Sequence, residues 1–100
     1  MPERYAIRTW ISPGRVDDYL RLHTRTPLEL DDDLRALGVL EWRIWRHGDE
    51  LFHEIVVEDR SRFRAGSATS PVQERWRQTL AGVLALDGRA DRLDLVWELT

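Results

Sequence analysis

The chain has 100 residues, of which 42% are hydrophobic and 33% are charged, and its formal net charge is −3. This length allows one hydrophobic core, and the composition is that of a folded globular domain rather than a disordered or membrane protein. Cysteine is absent, which excludes disulfides, thiolate zinc sites and a cysteine nucleophile. All 15 basic residues are arginine, so a Schiff-base lysine is excluded as well.

The charge pattern and the hydropathy also limit the kinds of partner that we expect this protein to bind. Charges of both signs are interspersed without long runs, which argues against nucleic-acid binding. No segment approaches the roughly 20 apolar residues that a membrane span needs, and the first residues lack the basic-then-apolar pattern of a signal peptide. We therefore expect a cytoplasmic protein with neither a nucleic-acid nor a membrane partner.

The first half of the chain predicts a strand and then a helix in two pieces. Residues 4–11 alternate between two faces, as a strand does. Ser12 as an N-cap and Pro13 in the first turn predict a helix that ends near His23. A second starting signal, Thr26-Pro27, opens another helical piece, which ends at Gly38.

The second half predicts a hairpin, a long helix and a last strand. The hairpin turns at His47-Gly48-Asp49, and Ser70-Pro71 is the starting signal of the long helix. In chain order the predicted elements are a strand over 39–46, a strand over 50–58, a short helix or irregular loop over 59–66, a helix over 70–86 and a strand over 93–99.

This order, β-α-β-β-α-β, is that of the ferredoxin-like fold: an α+β domain over residues 1–100 with a four-stranded antiparallel sheet and its helices on one face. The strand alternation predicts that the other, bare face carries Arg8, Trp10, Glu41, Arg43 and Trp45. Such a face is too apolar to remain in water and too polar for a dry core. We therefore expect a homodimer through the sheet faces, with a pocket beside the interface.

Tyr19 and His23 are the leading candidates for chemistry. A separation of four residues places both rings on one face of the first helix. A phenol beside an imidazole can bind a hydroxyl group and move its proton, since histidine exchanges protons near neutral pH. The alternative is a helix-end histidine beside a tyrosine that packs on the sheet.

Other candidate site residues also have both a functional and a purely structural interpretation. Trp76 either packs in the core or stacks on a sugar, and Arg77 either binds hydroxyl or carboxylate groups or is solvated. Glu41 is either a second proton-transfer group or the partner of an arginine across the sheet, and Trp45 is expected to line the pocket at the interface. Scattered histidines and the absence of a glycine-rich phosphate loop predict no metal and no cofactor.

Taken together, the pattern resembles the L-rhamnose mutarotase family, small cytoplasmic proteins with a dimeric α+β barrel fold. The resemblance implies that His23 transfers protons, and that Tyr19 and Trp76 shape a sugar pocket. This sequence departs from the family where Arg77 replaces a second tryptophan and Glu41 replaces an asparagine. The matching positions cover nearly the whole chain: Pro13, Tyr19, His23, Glu29, Leu30, Gly38, Ile44, Leu51, Phe52, Glu58, Phe63, Ala65, Val72, Arg75, Trp76 and Trp97.

The leading hypothesis is accordingly an aldose 1-epimerase that interconverts sugar anomers by acid–base ring opening. His23 supplies one proton-transfer function, and Glu41 or an ordered water supplies the other. Tyr19 positions a hydroxyl, Trp76 stacks on the sugar, and no cofactor takes part. Two rival hypotheses share the fold: a cyclase or cofactor-free oxygenase of a natural-product pathway, and a non-catalytic ligand-binding dimer.

Overall fold

The computed structural model describes residues 1–100 and has four strands and four helices, together with a 3-10 turn at Leu86–Gly88. None of the helices has the length and apolar character that crossing a membrane requires. In chain order the elements are β1 (Glu3–Trp10), α1 (Val16–Thr24), α2 (Leu28–Ala36), β2 (Val39–His47), β3 (Glu50–Val57), α3 (Arg60–Thr69), α4 (Pro71–Leu80) and β4 (Asp91–Leu93).

The four strands form one antiparallel sheet in the order β2-β3-β1-β4. β1 and β3 are central, and β3 follows β2 through the tight hairpin that pairs His47 with Glu50. Each of the two helical units predicted from the sequence is a pair of helices. The ferredoxin-like arrangement is thereby confirmed.

All four helices cover the same face of the sheet. The alternation of β3 directs Leu51, Ile55 and Val57 towards the helices, and all three are buried. Leu51 packs with Tyr19 of α1 and with the end of α4, whereas Ile55 and Val57 pack with Phe63 of α3 and with α2. The core therefore has two clusters, one at each end of β3.

The other face of the sheet is bare in the single chain. The strand register places Arg8 and Trp45 on either side of Phe52, and Glu41 beside Val56, all pointing away from the helices. Trp45 is 59% exposed. The outward-facing set predicted from alternation is therefore confirmed.

The first helix starts later than the sequence predicted. Pro13 and Gly14 form a turn, in which Arg15 N–H donates to the Ser12 carbonyl at 3.0 Å and Gly14 adopts a φ of +78°. A helix cannot pass through that conformation, so α1 begins at Val16 and Ser12 does not cap it. Thr26 also caps no helix, because its hydroxyl donates to Asp31 instead.

The last helix ends six residues before the predicted position. Gly82 has a φ of +82°, and the chain beyond Leu80 turns back along the end of β1. There Ser12 N–H donates to the Val83 carbonyl at 2.8 Å, and Ala85 N–H donates to the Trp10 carbonyl at 2.8 Å. Val83 is still buried, so its apolar character indicated burial correctly but not helix.

The closing strand is also shorter than predicted. Only Asp91–Leu93 pair with β1, and residues 94–100 lie outside the sheet. Leu95, Val96, Trp97 and Leu99 are each more than 70% exposed. An alternating apolar segment forms a strand only where a second surface covers it, and beyond Leu93 the single chain provides none.

Candidate active site

Three aromatic side chains meet between α1 and α4. Tyr19 and His23 lie one helical turn apart, and their rings stack with centroids 4.0 Å apart and planes 27° apart. Trp76 of α4 meets His23 edge-on, at 5.3 Å between centroids and 72° between planes. His23 and Trp76 are half-buried, and Tyr19 is buried. The structure thus brings together the three residues on which the sugar-site hypothesis depends.

The hydrogen bond of His23 determines which ring nitrogen can react. Nδ1 lies 2.9 Å from the backbone carbonyl oxygen of Tyr19. A carbonyl can only accept, so Nδ1 carries the proton and Nε2 of the neutral ring keeps a free lone pair. Burial lowers the pKa of His23, and the bond to Tyr19 opposes this shift in part. At neutral pH the side chain is therefore a neutral base.

The phenol of Tyr19 has the complementary role. Burial raises its pKa to about 12, so the hydroxyl keeps its proton at any physiological pH. This hydroxyl makes no hydrogen bond within the chain, and its oxygen is not among the fully buried polar atoms, so it remains accessible. It is therefore free to hydrogen-bond a ligand beside the His23 base.

A second histidine, His53, lies on the face of the sheet that the helices cover. The sequence did not lead us to predict a role for it. Its Nε2 lies 2.9 Å from Thr9 Oγ1, and its Nδ1 accepts from Trp42 Nε1 at 3.1 Å. Burial, and secondarily the charge of His23, lower its pKa to about 4. The available signal was strand alternation, since His53 occupies an inward position between Leu51 and Ile55.

The structure does not bring Glu41 or Trp45 to His23. Both side chains lie on the bare face of the sheet, on the opposite side from α1. Glu41 forms an exposed ion pair with Arg4 at 3.8 Å, and Trp45 Nε1 donates to Glu54 at 3.1 Å. The period of two along β2 decides this, because residues 41 and 45 point away from the helices whereas Trp42 points towards them.

Arg77 follows Trp76 but faces another surface. It is exposed, pairs with Glu74 at 2.9 Å and lines a surface cavity of about 500 Å³ beside Gly82 and Asp87. That cavity does not include His23. The candidate site is therefore located by the contacts among Tyr19, His23 and Trp76, and not by a cavity volume. No three acidic or histidine side chains converge as metal ligands would.

The fold and the aromatic site together define a class, the small α+β barrel proteins of ferredoxin-like topology. A crystal structure of an L-rhamnose mutarotase from Formosa agariphila superposes with a TM-score of 0.84 at 21% identity, covering 98% of this chain and 99% of the other. A cofactor-independent oxygenase from Streptomyces nogalater superposes with a TM-score of 0.67 at 10% identity, covering 98% and 96%. At such identities these likenesses establish the fold alone.

The family follows from the sequence comparisons. The family model described as L-rhamnose mutarotase matches residues 4–99. An L-rhamnose mutarotase of Burkholderia cenocepacia (strain HI2424) is 33% identical over 90 residues, which cover 87% of this chain and 86% of that protein, and one of Burkholderia orbicola (strain MC0-3) matches equally. The chain belongs to the L-rhamnose mutarotase family and is thereby an isomerase that acts on carbohydrate anomers.

Proposed function

We propose that this protein interconverts the anomers of L-rhamnose or a closely related sugar, with His23 as the proton-transfer group. The observation that carries this proposal is the bond from His23 Nδ1–H to the Tyr19 carbonyl, which leaves Nε2 as the acceptor. A neutral imidazole beside a protonated phenol suits a substrate covered with hydroxyl groups.

The reaction requires one proton to leave and one to arrive. His23 Nε2 takes the proton of the anomeric hydroxyl, the bond between C1 and the ring oxygen breaks, and the ring oxygen gains a proton. Because Glu41 lies on the other face of the sheet, that proton comes from water or from the His23 imidazolium. The open aldehyde rotates about the C1–C2 bond, and the reverse steps close the ring on its other face.

Tyr19 and Trp76 hold the sugar in this scheme. The Tyr19 phenol donates to a sugar hydroxyl, because its raised pKa keeps the proton in place. The indole of Trp76 offers a flat apolar surface against which the C–H face of a sugar ring packs. Both residues restrict the sugar to orientations in which its anomeric hydroxyl faces His23.

We also propose that the protein is a homodimer joined through the bare sheet faces. The exposed indole of Trp45 and the exposed tail around Trp97 support this assembly. Trp45 belongs to the interface in this arrangement rather than to the sugar site.

The decisive experiment is anomer exchange of L-rhamnose measured by saturation-transfer NMR, with buffer-catalysed exchange subtracted. Wild type is expected to accelerate exchange. His23→Ala should be slower than wild type by a factor of about 10² to 10⁴, because the substitution removes the base. The wild-type rate should rise with pH through a midpoint below the ordinary histidine value of about 6.5, since burial lowers the pKa of His23.

His47→Ala is the matched control, because His47 is an exposed hairpin residue. It should keep the wild-type rate. Full activity of His23→Ala would remove the assigned base. A wild type that accelerates exchange of no sugar in a panel of deoxyhexoses would refute the proposed function and favour a binding role.

A further inference from the structure

Thr9 and His53 form a polar pair in the middle of the inward face of the sheet. On one side of this pair lies the cluster around Leu51 and Tyr19, and on the other the cluster around Ile55 and Phe63. Thr9 is 6% exposed and His53 8%, so neither polar group is solvated as a surface residue would be. Buried polar groups are costly unless they are paired, so the partners of each atom matter.

The direction of every hydrogen bond in this group follows from one donor. The indole N–H of Trp42 can only donate, so the His53 Nδ1 at 3.1 Å must accept and carries no proton. The proton of the neutral ring then lies on Nε2, which donates to Thr9 Oγ1 at 2.9 Å. Thr9 therefore accepts from His53 and keeps its own hydroxyl proton for another partner.

No group of the chain accepts that proton, because the bond to His53 is the only one that the Thr9 hydroxyl makes. The pair also lies near the proposed sugar site. His23 is close enough for its charge to act on His53, and Tyr19 packs against Leu51, the strand partner of Thr9. An unused donor thus lies next to the cluster that contains Tyr19, near the proposed sugar site.

We propose that the Thr9 hydroxyl donates a hydrogen bond to a hydroxyl oxygen of the bound sugar, and that His53, held by Trp42, is the positioning residue that directs this proton. This inference rests on the proposed function and adds a determinant of specificity to it. A sugar that carries a hydroxyl above Thr9 satisfies the donor, whereas the matching deoxy sugar leaves it unpaired.

The test compares Thr9→Val with wild type on L-rhamnose and on analogues that each lack one hydroxyl group. Valine has nearly the shape of threonine and removes only the hydroxyl. Wild type should lose about tenfold in kcat/KM on the analogue that lacks the contacted hydroxyl. Thr9→Val should lose about tenfold on L-rhamnose and no longer distinguish that analogue from it.

Thr79→Val is the matched control, since Thr79 is exposed on α4 and its hydroxyl donates to a carbonyl of its own helix. It should discriminate among the sugars as wild type does. An equal loss for Thr9→Val on every sugar, or an unchanged preference, would overturn the inference while leaving mutarotation intact.

A second measurement needs no variant and no turnover. In 15N-labelled wild type, NMR should show His53 protonated on Nε2 and not on Nδ1, and L-rhamnose should shift its Nε2–H resonance. The analogue without the contacted hydroxyl should shift it less. The opposite tautomer, or no shift at saturating sugar, would overturn the inference even if the protein binds sugars without converting them.

Discussion

His23 and His53 are the same residue type on the same side of the sheet, yet their hydrogen bonds give them opposite properties. The backbone carbonyl of Tyr19 holds the proton of His23 on Nδ1, so its Nε2 can accept a proton. The indole of Trp42 makes Nδ1 of His53 the acceptor, so its Nε2 becomes a donor. A single fixed neighbour decides the role of each ring.

His53 should make the protein less stable in mild acid. Its folded pKa is about 4, against about 6.5 in an unfolded chain, so the unfolded state binds more protons between these values. The stabilising contribution is complete above pH 6.5 and is lost as the pH falls towards 4. Urea unfolding should give a free energy of unfolding about 2 kcal/mol lower at pH 5 than at pH 7.5 from this residue.

The control for this loss is His53→Gln, which does not titrate. Its stability should fall less over the same pH range, and the remaining slope should reflect His23, whose pKa is shifted in the same direction. At pH 5 most carboxylates are still ionised, so the histidines dominate the comparison. Identical pH slopes for wild type and the variant would contradict the assignment.

At the scale of elements, Asp33 joins α2 to the start of α4. Its Oδ2 accepts from Ser70 Oγ at 2.8 Å and from Gln73 Nε2 at 2.8 Å, and both partners are buried. Ser70 is also the N-cap of α4, as the sequence predicted, because its hydroxyl oxygen accepts from the Gln73 N–H. Asp33 is therefore part of the contact between α2 and α4 rather than of the solvated face of α2.

Asp33→Ala should therefore destabilise the protein by about 2 kcal/mol, because two buried donors lose their acceptor. The same change should lower kcat/KM, since α4 carries Trp76 into the site. Asp32→Ala, one residue away and exposed, should change the free energy of unfolding by less than about 0.5 kcal/mol. Equal effects of the two substitutions in urea unfolding would show that the link between the helices contributes nothing.

At the scale of the whole molecule, one face of the sheet is not covered by any helix. The bare face combines exposed Trp45 with Arg8, whose guanidinium lies 4.9 Å from the Trp10 ring centre and whose Nε is buried without a partner. The exposed tail around Trp97 adds further apolar surface. A second copy could cover this surface symmetrically.

Trp45→Asp should weaken self-association by at least about 30-fold, because a buried interface tryptophan commonly contributes 2 kcal/mol or more. Light scattering after gel filtration, over a range of concentrations, would detect the shift from dimer to monomer. Leu28→Asp is the control, as Leu28 is 80% exposed on α2, away from the bare face. A wild type that remains monomeric at every concentration would contradict the dimer.

The sequence by itself determined the order of the elements, the outward face of the sheet and the placement of Tyr19 and His23 on one face of the first helix. These features depend on periods of two and of about four residues, which are local properties of the chain. The tertiary structure alone decided that α4 ends at Leu80, that Asp33 links α2 to α4, and that His53 donates to Thr9. Each of these depends on partners far apart in sequence, such as the 44 residues between Thr9 and His53, and no local pattern encodes such a partner.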